Sequence, residues 1–154
     1  MQDGFSLLRS YPMIGDFLAY QFITDLNYSV LTPYNEMEFV IPGPGAKDGL
    51  KKCFPDMVPS DAAGLIRYVC QNQAAFQTEL GLEPVTLWGR PLQLIDCQNL
   101  FCETDKYSRI AHPEIVGYSG RTRIKQAFRM KGPLPDPVFP GKWKMDLRHG
   151  SATG

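Results

Sequence analysis

A polar segment near residue 100 carries the side chains best suited to chemistry. If residues 92–110 form a helix, Asp96, Asn99, Glu103 and Lys106 fall at i, i+3, i+7 and i+10 and share one face. Two carboxylates beside a lysine could exchange a proton with a substrate and stabilise developing charge. The same spacing is typical of a solvated helix face with ion pairs, and both interpretations remain open.

This predicted helix also carries two amide side chains and an apolar side. Gln98 and Asn99 each donate and accept hydrogen bonds, which suits them to reading the edge of a nucleic-acid base. The expected buried side consists of Leu94, Cys97, Phe101 and Tyr107.

A turn with a proline and a glycine precedes an aromatic-rich segment near the N-terminus. Pro12 and Gly15 lie three residues apart, and apolar residues recur at helical spacing over 16–28. A tight turn between helices predicts positive φ at Gly15 and clustered main-chain N–H groups that favour a phosphate. The motif resembles the helix-hairpin-helix module of a DNA glycosylase superfamily. An ordinary helix–helix turn is the alternative, and Asp16 would repel a phosphate that it faced.

The segment "PGPGA" predicts a second glycine-rich turn. The amides after Gly43 and Gly45 could hold a phosphate, with charge from Lys51 or Lys52. The spacing of a P-loop is absent. A structural corner between two helices is the alternative.

The periodicity of the whole chain predicts a mostly α fold. Apolar residues recur at helical spacing, and convincing strand alternation is missing. Four prolines in "GPLPDPVFPGKWK" predict an extended tail, so we expect a helical domain over 1–131 and a tail over 132–154. The expected helical segments are 5–10, 16–28, the later part of 40–54, 59–81, 92–110 and a basic amphipathic helix over 120–130.

Charge is distributed unevenly although the net charge is zero. Residues 1–103 carry 6 Lys/Arg against 12 Asp/Glu, and residues 104–154 carry 10 against 4. A basic C-terminal third suits contact with a polyanion, and pairing with the acidic part is the alternative. The basic residues expected to contact a DNA backbone are Arg121, Arg123, Lys125, Arg129 and Lys131.

The cysteines and the apolar runs exclude several classes of protein. Cys53, Cys70, Cys97 and Cys102 form no C-x-x-C pair, which disfavours a zinc site and favours reduced thiols. No apolar run approaches a membrane span, and the N-terminus lacks a signal-peptide pattern. We therefore expect no metal, no cofactor and no membrane partner, and a cytoplasmic or nuclear rather than secreted location.

Three motifs in order resemble one known family. "YPMIGDFLAYQFITDLNYS", the "FVIPGPGAKDGLKKCF" segment and "LIDCQNLFCETDKYSR" are similar to the helical domain of thymine-hypermodification proteins, over roughly residues 7 to 130. The family comprises α-glutamyl/putrescinyl thymine pyrophosphorylases, or amino-acid:DNA transferases, and the helical domain of 5-hydroxymethyluracil DNA kinases. It is considered related to helix-hairpin-helix DNA glycosylases. Its members usually carry a further helical segment upstream, which we expect this chain to lack.

The resemblance implies roles for particular residues. Gly15 would belong to the DNA-binding hairpin, and Gly43, Gly45 and Ala46 to a phosphate-facing turn. The "TDLNYS" motif contributes Asp25 as a catalytic residue, Tyr28 as a residue that binds substrate or phosphate, and Asn27. The polar helix contributes Asp96, Gln98, Asn99, Glu103, Asp105 and Lys106.

The leading functional hypothesis is modification of a thymine-type base in DNA. The family's phage members act on (pyro)phosphorylated 5-hydroxymethyluracil and displace the phosphate with an amine. For this chain, Lys51, Lys52 or Lys106 would stabilise the leaving phosphate, and Asp96 or Glu103 would deprotonate the amine. The expected partners are DNA, a kinase or hydroxylase acting on the same base, or a missing N-terminal half.

Two other functions remain open. A non-catalytic DNA-binding module needs only the hairpin and the basic tail. A glycosylase-like base-excision domain would carry a catalytic Asp about twenty residues after the hairpin, where this chain has Glu36 and Glu38 and no Asp. The absence of an Asp at this distance makes simple base excision the less favoured function.

Overall fold

The computed structural model describes residues 1–125, 129–133 and 135–145. Within these ranges the chain forms five α-helices and no β-strand, and an isolated bridge joins Leu87 to Arg90. The prediction of a mostly α fold is therefore confirmed. The helices are α1 (Gln2–Arg9), α2 (Asp16–Asn27), α3 (Pro44–Cys53), α4 (Ala62–Glu79) and α5 (Leu94–Ala111), with short 3-10 turns at Pro59–Asp61 and Gly141–Trp143.

Glycines of α3 let this helix approach α5 closely. A β-carbon added at Gly49 would lie 1.9 Å from the carbonyl oxygen of Phe101, and one added at Gly45 would lie 2.6 Å from Cys102 Sγ. Ala46 between them is fully buried. The neighbour of Gly49 is main chain, which cannot rotate away as a side chain can, so this position accepts no larger residue.

We expect Gly49→Ala to destabilise the fold by about 3 kcal/mol or more, at or beyond the upper end for overpacking, because the added methyl meets backbone. Gly64→Ala is the matched control. A β-carbon at Gly64 in α4 meets nothing within 4 Å, so this change should stabilise by about 0.5–1 kcal/mol. Urea denaturation followed by circular dichroism measures both, and equal effects would contradict the close packing.

The core lies where α2, α3, α4 and α5 meet. Tyr20, Leu50, Ile66 and Leu94 are each almost fully buried there. Of the side of α5 that we expected to be buried, Leu94, Cys97 and Phe101 are inside. The prediction for Tyr107 is wrong, since this residue is 65% exposed.

The segment after α5, residues 112–125, folds back as an irregular strap. Asp48 of α3 accepts hydrogen bonds from the Ser119 amide, at 2.9 Å, and from its hydroxyl. Arg109 Nη1 donates to the carbonyl of Arg123 at 2.9 Å, and Gly120 has a φ of 63°. These hydrogen bonds hold the segment in a non-helical conformation. The prediction of a helix over 120–130 is therefore wrong for the described residues. Residues 126–128 of that segment lie outside them.

The described part of the expected tail is mostly irregular, with one 3-10 turn at Gly141–Trp143. It does not extend away from the helices, because the ring of Trp143 packs against Tyr28 at the end of α2. The division into two domains at residue 131 remains a prediction.

Candidate active site

The polar face of α5 is only partly exposed. Asn99 and Glu103 are open to solvent, and Glu103 forms an i,i+3 ion pair with Lys106. Asp96 lies two turns, about 10 Å, before Glu103, and its side chain is 19% exposed. We call Asn99, Glu103 and Lys106 the α5 ridge. The four predicted residues therefore divide between an exposed ridge and a more enclosed position at the start of the helix.

Asp96 belongs to a charged cluster that joins three separate segments. Arg90 Nη2 lies 2.7 Å from Glu36 Oε2, and Arg90 Nη1 lies 3.5 Å from Asp96 Oδ2. All three side chains are at least four-fifths buried. We call Glu36, Arg90 and Asp96 the carboxylate–guanidinium cluster. It places two carboxylates on one arginine, an arrangement that can move a proton once a substrate displaces one of the pairs.

Two aromatic side chains border this cluster. The guanidinium of Arg90 lies 4.0 Å from the centre of the Trp143 ring, and the indole N–H donates to Glu36 Oε1 at 2.8 Å. Tyr28 meets the Trp143 ring edge to face, with 5.5 Å between ring centroids. The cluster is therefore bordered by two aromatic rings, which lie nearly perpendicular to each other, as well as by charge.

A buried amide side chain and a guanidinium hold the loop that carries Tyr28 and Glu36. Asn27 is fully buried; its Nδ2 donates to the carbonyl of Tyr34, and its Oδ1 accepts from the Tyr34 amide, both at 3.1 Å. Arg67 of α4 donates to the carbonyls of Met37 and Glu38 at 2.6 and 2.9 Å. Asn27, which the resemblance places in a functional motif, thus closes the loop rather than facing a substrate.

The segment that carries Arg90 is fixed in the same way. Gln73 of α4 accepts from the Leu92 amide at 2.8 Å and donates to its carbonyl at 2.9 Å. Asp96 in turn accepts from the Gln93 amide at 2.8 Å and caps the start of α5. Packed helices therefore position each member of the cluster.

Burial changes the proton affinity of two groups here. The pKa of Asp96 is raised, chiefly because burial disfavours the charged form, although the bond from Gln93 and the charge of Arg90 oppose the shift. Burial, with the charges of Asp96 and Glu36, raises the pKa of Tyr28 to about 12. At neutral pH Tyr28 is a hydrogen-bond donor, while Asp96 holds a proton more readily than a solvated carboxylate. Asp25, one turn before Tyr28, is exposed and adds to the same field.

Gln98 joins the glycine-rich turn to α5. This side chain is 2% exposed; its Oε1 accepts from the Gly43 amide at 3.1 Å, and its Nε2 donates to Asn99 Oδ1 at 2.7 Å. A β-carbon at Gly43 would lie 2.9 Å from the ring of Phe17. The starts of α2 and α3 thus meet α5 here. Both ends of the Gln98 amide are used internally, which does not suit the predicted role in reading a base.

The turn before α2 differs from the predicted hairpin. Gly15 has a φ of −83° and caps α2 in an extended conformation, so the prediction of a positive φ at this residue is wrong. Met13 takes it instead, with a φ of 67°, and is 95% exposed. The carboxylate of Asp16 pairs with Arg9 at 2.5 Å. That pair neutralises the charge expected to repel a phosphate, and Gly15 as a phosphate-binding residue stays a prediction.

The lysines predicted to bind phosphate have protein partners. Lys51 donates to the carbonyl of Pro55 and lies 5.3 Å from the centre of the Tyr118 ring. Lys52 is 4% exposed and pairs with Asp105 at 3.0 Å. An ammonium buried in an ion pair does not fit the role of binding a leaving phosphate, so we correct this assignment for Lys52.

The remaining predicted residues divide between surface and interior. Gly45 packs against α5 and Ala46 lies in the core, so packing alone explains a small residue at both positions. The C-terminal basic residues are exposed, as a surface that contacts a backbone requires. These are Arg121, Arg123, Lys125, Arg129 and Lys131.

Sequence reasoning missed Glu36 as a partner of Asp96, together with Arg90 and Trp143. The only local signal was the position of Glu36 about twenty residues after Gly15. Among the described residues, no group of His, Cys, Asp and Glu could hold a metal ion. No helix in this part of the chain is long and apolar enough to cross a membrane.

The molecule is thus a helical domain with a buried cluster of two carboxylates and an arginine. The family model described as 5-hmdU DNA kinase, helical domain, matches residues 1–117 of the 154. The chain belongs to this family, which confirms the resemblance drawn from its three motifs. Comparisons with curated proteins and with solved structures gave no match.

Proposed function

We propose that this domain modifies a thymine-type base in DNA. Its substrate would be 5-hydroxymethyluracil carrying a phosphate or pyrophosphate, which an amine displaces. The observation that carries the proposal is the carboxylate–guanidinium cluster in a chain whose family is named for 5-hmdU DNA kinases.

The reaction is a substitution at the exocyclic carbon of the base. The nitrogen lone pair of the amine forms a C–N bond while the C–O bond to the phosphate breaks, and the bonding pair leaves with the phosphate oxygen. The resulting ammonium then loses one proton to a base. The protein must neutralise the leaving phosphate, accept that proton and enclose the base.

The cluster offers a group for each of these tasks. Arg90 supplies a fork of N–H donors that matches a phosphate, and phosphate binding would compete with its pair to Asp96. Asp96, released from that pair and with a raised pKa, would accept the amine proton. Tyr28 would donate a hydrogen bond to the base or the phosphate. The base must leave the DNA stack to reach an enclosed site.

A supporting surface for DNA comes from the C-terminal strap. Arg121, Arg123 and Lys125 are exposed on a segment that Ser119 and Arg109 anchor to the helices. This observation also favours the second candidate, a non-catalytic DNA-binding module. Its affinity for DNA would fall steeply with salt, because each phosphate contact releases counterions.

The test is mass spectrometry of nucleosides from a duplex oligonucleotide carrying one phosphorylated 5-hydroxymethyluracil. The duplex is incubated with the protein and an amine such as glycine or a diamine. A nucleoside with a new C–N bond supports the proposal. Binding without product supports the second candidate, and abasic sites support base excision. DNA from cells that express the domain with and without its genomic neighbours, including any kinase or hydroxylase, shows whether a partner supplies the substrate.

A further inference from the structure

Trp143 lies in the cluster in a way that an ordinary surface tryptophan does not. The centre of its ring lies 4.0 Å from Cζ of the Arg90 guanidinium, and its N–H donates to Glu36 Oε1 at 2.8 Å. Tyr28 meets its ring edge to face, with 5.5 Å between ring centroids. Glu36 lies 107 positions earlier in the chain. The indole is therefore held by stacking, by one directed hydrogen bond and by one aromatic contact.

These three contacts are the ones that a thymine-type ring would make. Such a base is flat and stacks on a guanidinium or an aromatic ring, as bases do in many single-strand sites. Its N3–H is a donor in the plane of the ring, as the indole N–H is, and a carboxylate is a suitable acceptor. One of its carbonyl oxygens would accept from Tyr28, whose hydroxyl stays protonated at neutral pH.

We propose that the indole of Trp143 occupies the binding site of an extruded thymine-type base, formed by Glu36, Arg90 and Tyr28. Residues 135–145 then act as a plug that must leave before a base can enter. This inference rests on the proposed function for the identity of the ligand, a pyrimidine with an N3–H donor. Phe139 packs against Trp88, at 5.0 Å between ring centroids, and this contact is a second anchor for the plug.

The plug predicts a direct competition that fluorescence can measure. The chain has 2 tryptophans, so Trp88→Phe leaves Trp143 as the sole emitter and retains an aromatic ring against Phe139. Thymidine 5′-monophosphate is the probe, with excitation at the red edge of tryptophan absorption. We expect its binding to shift the Trp143 emission towards that of a solvated indole. The N3-methylated nucleotide, which lacks the donor, should bind at least about tenfold more weakly, by about 1.4 kcal/mol or more.

Removing the plug should raise affinity. Trp143→Ala frees the site, and the apparent dissociation constant of the nucleotide should fall by about tenfold or more, since the competent state is no longer a minor fraction. Trp143→Phe keeps a ring but loses the N–H donor, so its affinity should lie between. Isothermal titration calorimetry measures all three proteins, and circular dichroism verifies their folding.

Two results would overturn the proposal. One is Trp143 emission that does not change with the nucleotide at the highest soluble concentration. The other is a folded Trp143→Ala variant that binds the nucleotide no more tightly than the unaltered chain. If that variant does not fold, the emission of Trp88→Phe decides alone. Neither assay involves chemistry, so nucleotide binding without a modified product rejects only the proposed reaction, and product without plug competition rejects only this inference.

Discussion

Asp105→Ala is expected to lower the free energy of unfolding by about 3–5 kcal/mol, the cost of breaking a buried ion pair by removing one partner. Asp105 is 1% exposed and neutralises both Lys52, at 3.0 Å, and Arg109. Their side chains are 4% and 8% exposed. The variant leaves two cations in a place that water reaches poorly. Since domains of this size are stable by about 5–15 kcal/mol, such a loss should be visible directly in urea denaturation.

Glu103→Ala is the matched control, two residues earlier on the same helix. Its pair with Lys106 is largely exposed, so its loss should cost no more than about 1 kcal/mol. A triple variant, Lys52→Met with Asp105→Leu and Arg109→Met, removes every charge and should recover most of the loss. If Asp105→Ala costs as little as Glu103→Ala, the ion pairs of Asp105 with Lys52 and Arg109 do not stabilise the packing of α3 on α5. Lys52 would then be free for the phosphate role that its burial argues against.

Local pattern predicted what depends on local structure. The apolar spacing of 16–28 and 92–110 predicted α2 and α5 closely, because one face of each helix is buried in the same core. Leu94, Cys97 and Phe101 fell on the expected side for the same reason. The turn at Gly15 shows the limit of this reasoning. A glycine permits positive φ without requiring it, and here Met13 adopts it while Gly15 is an extended cap.

The carboxylate–guanidinium cluster could not be predicted from the local sequence pattern because long-range contacts create it. Glu36 and Arg90 meet across 54 positions, and Glu36 and Trp143 across 107. Apart from the position of Glu36 about twenty residues after Gly15, nothing in the neighbouring sequence marks these residues as members of one cluster. Burial was equally hidden. Gln98 and Asp105 belong to a polar motif by composition, yet both point into the interior, where internal hydrogen bonds and ion pairs satisfy them.

Asp96→Asn is expected to reduce the rate of base modification by about 10²–10⁴-fold, the usual contribution of a general base. Asparagine retains an oxygen that can accept from the Gln93 amide, so the cap of α5 and the affinity for DNA should persist. Quenched-flow assays of product by mass spectrometry give the rate. The matched control is Glu79→Gln, an exposed carboxylate at the end of α4, which should leave the rate unchanged.

The directions in which rate and stability change with pH both test the assignment of Asp96 as the general base. Because the pKa of Asp96 is raised from 3.8 by burial, the rate should fall as pH drops through that raised value, and this acidic limb should disappear in Asp96→Asn. The contribution of Asp96 to the free energy of unfolding has the opposite pH dependence. Folding favours the protonated form, so this contribution is complete below 3.8 and is lost as pH rises through the folded value. The variant lacks that dependence. If Glu103→Gln instead abolishes the reaction while Asp96→Asn is active, the base belongs to the α5 ridge, and the cluster serves only to hold the loops.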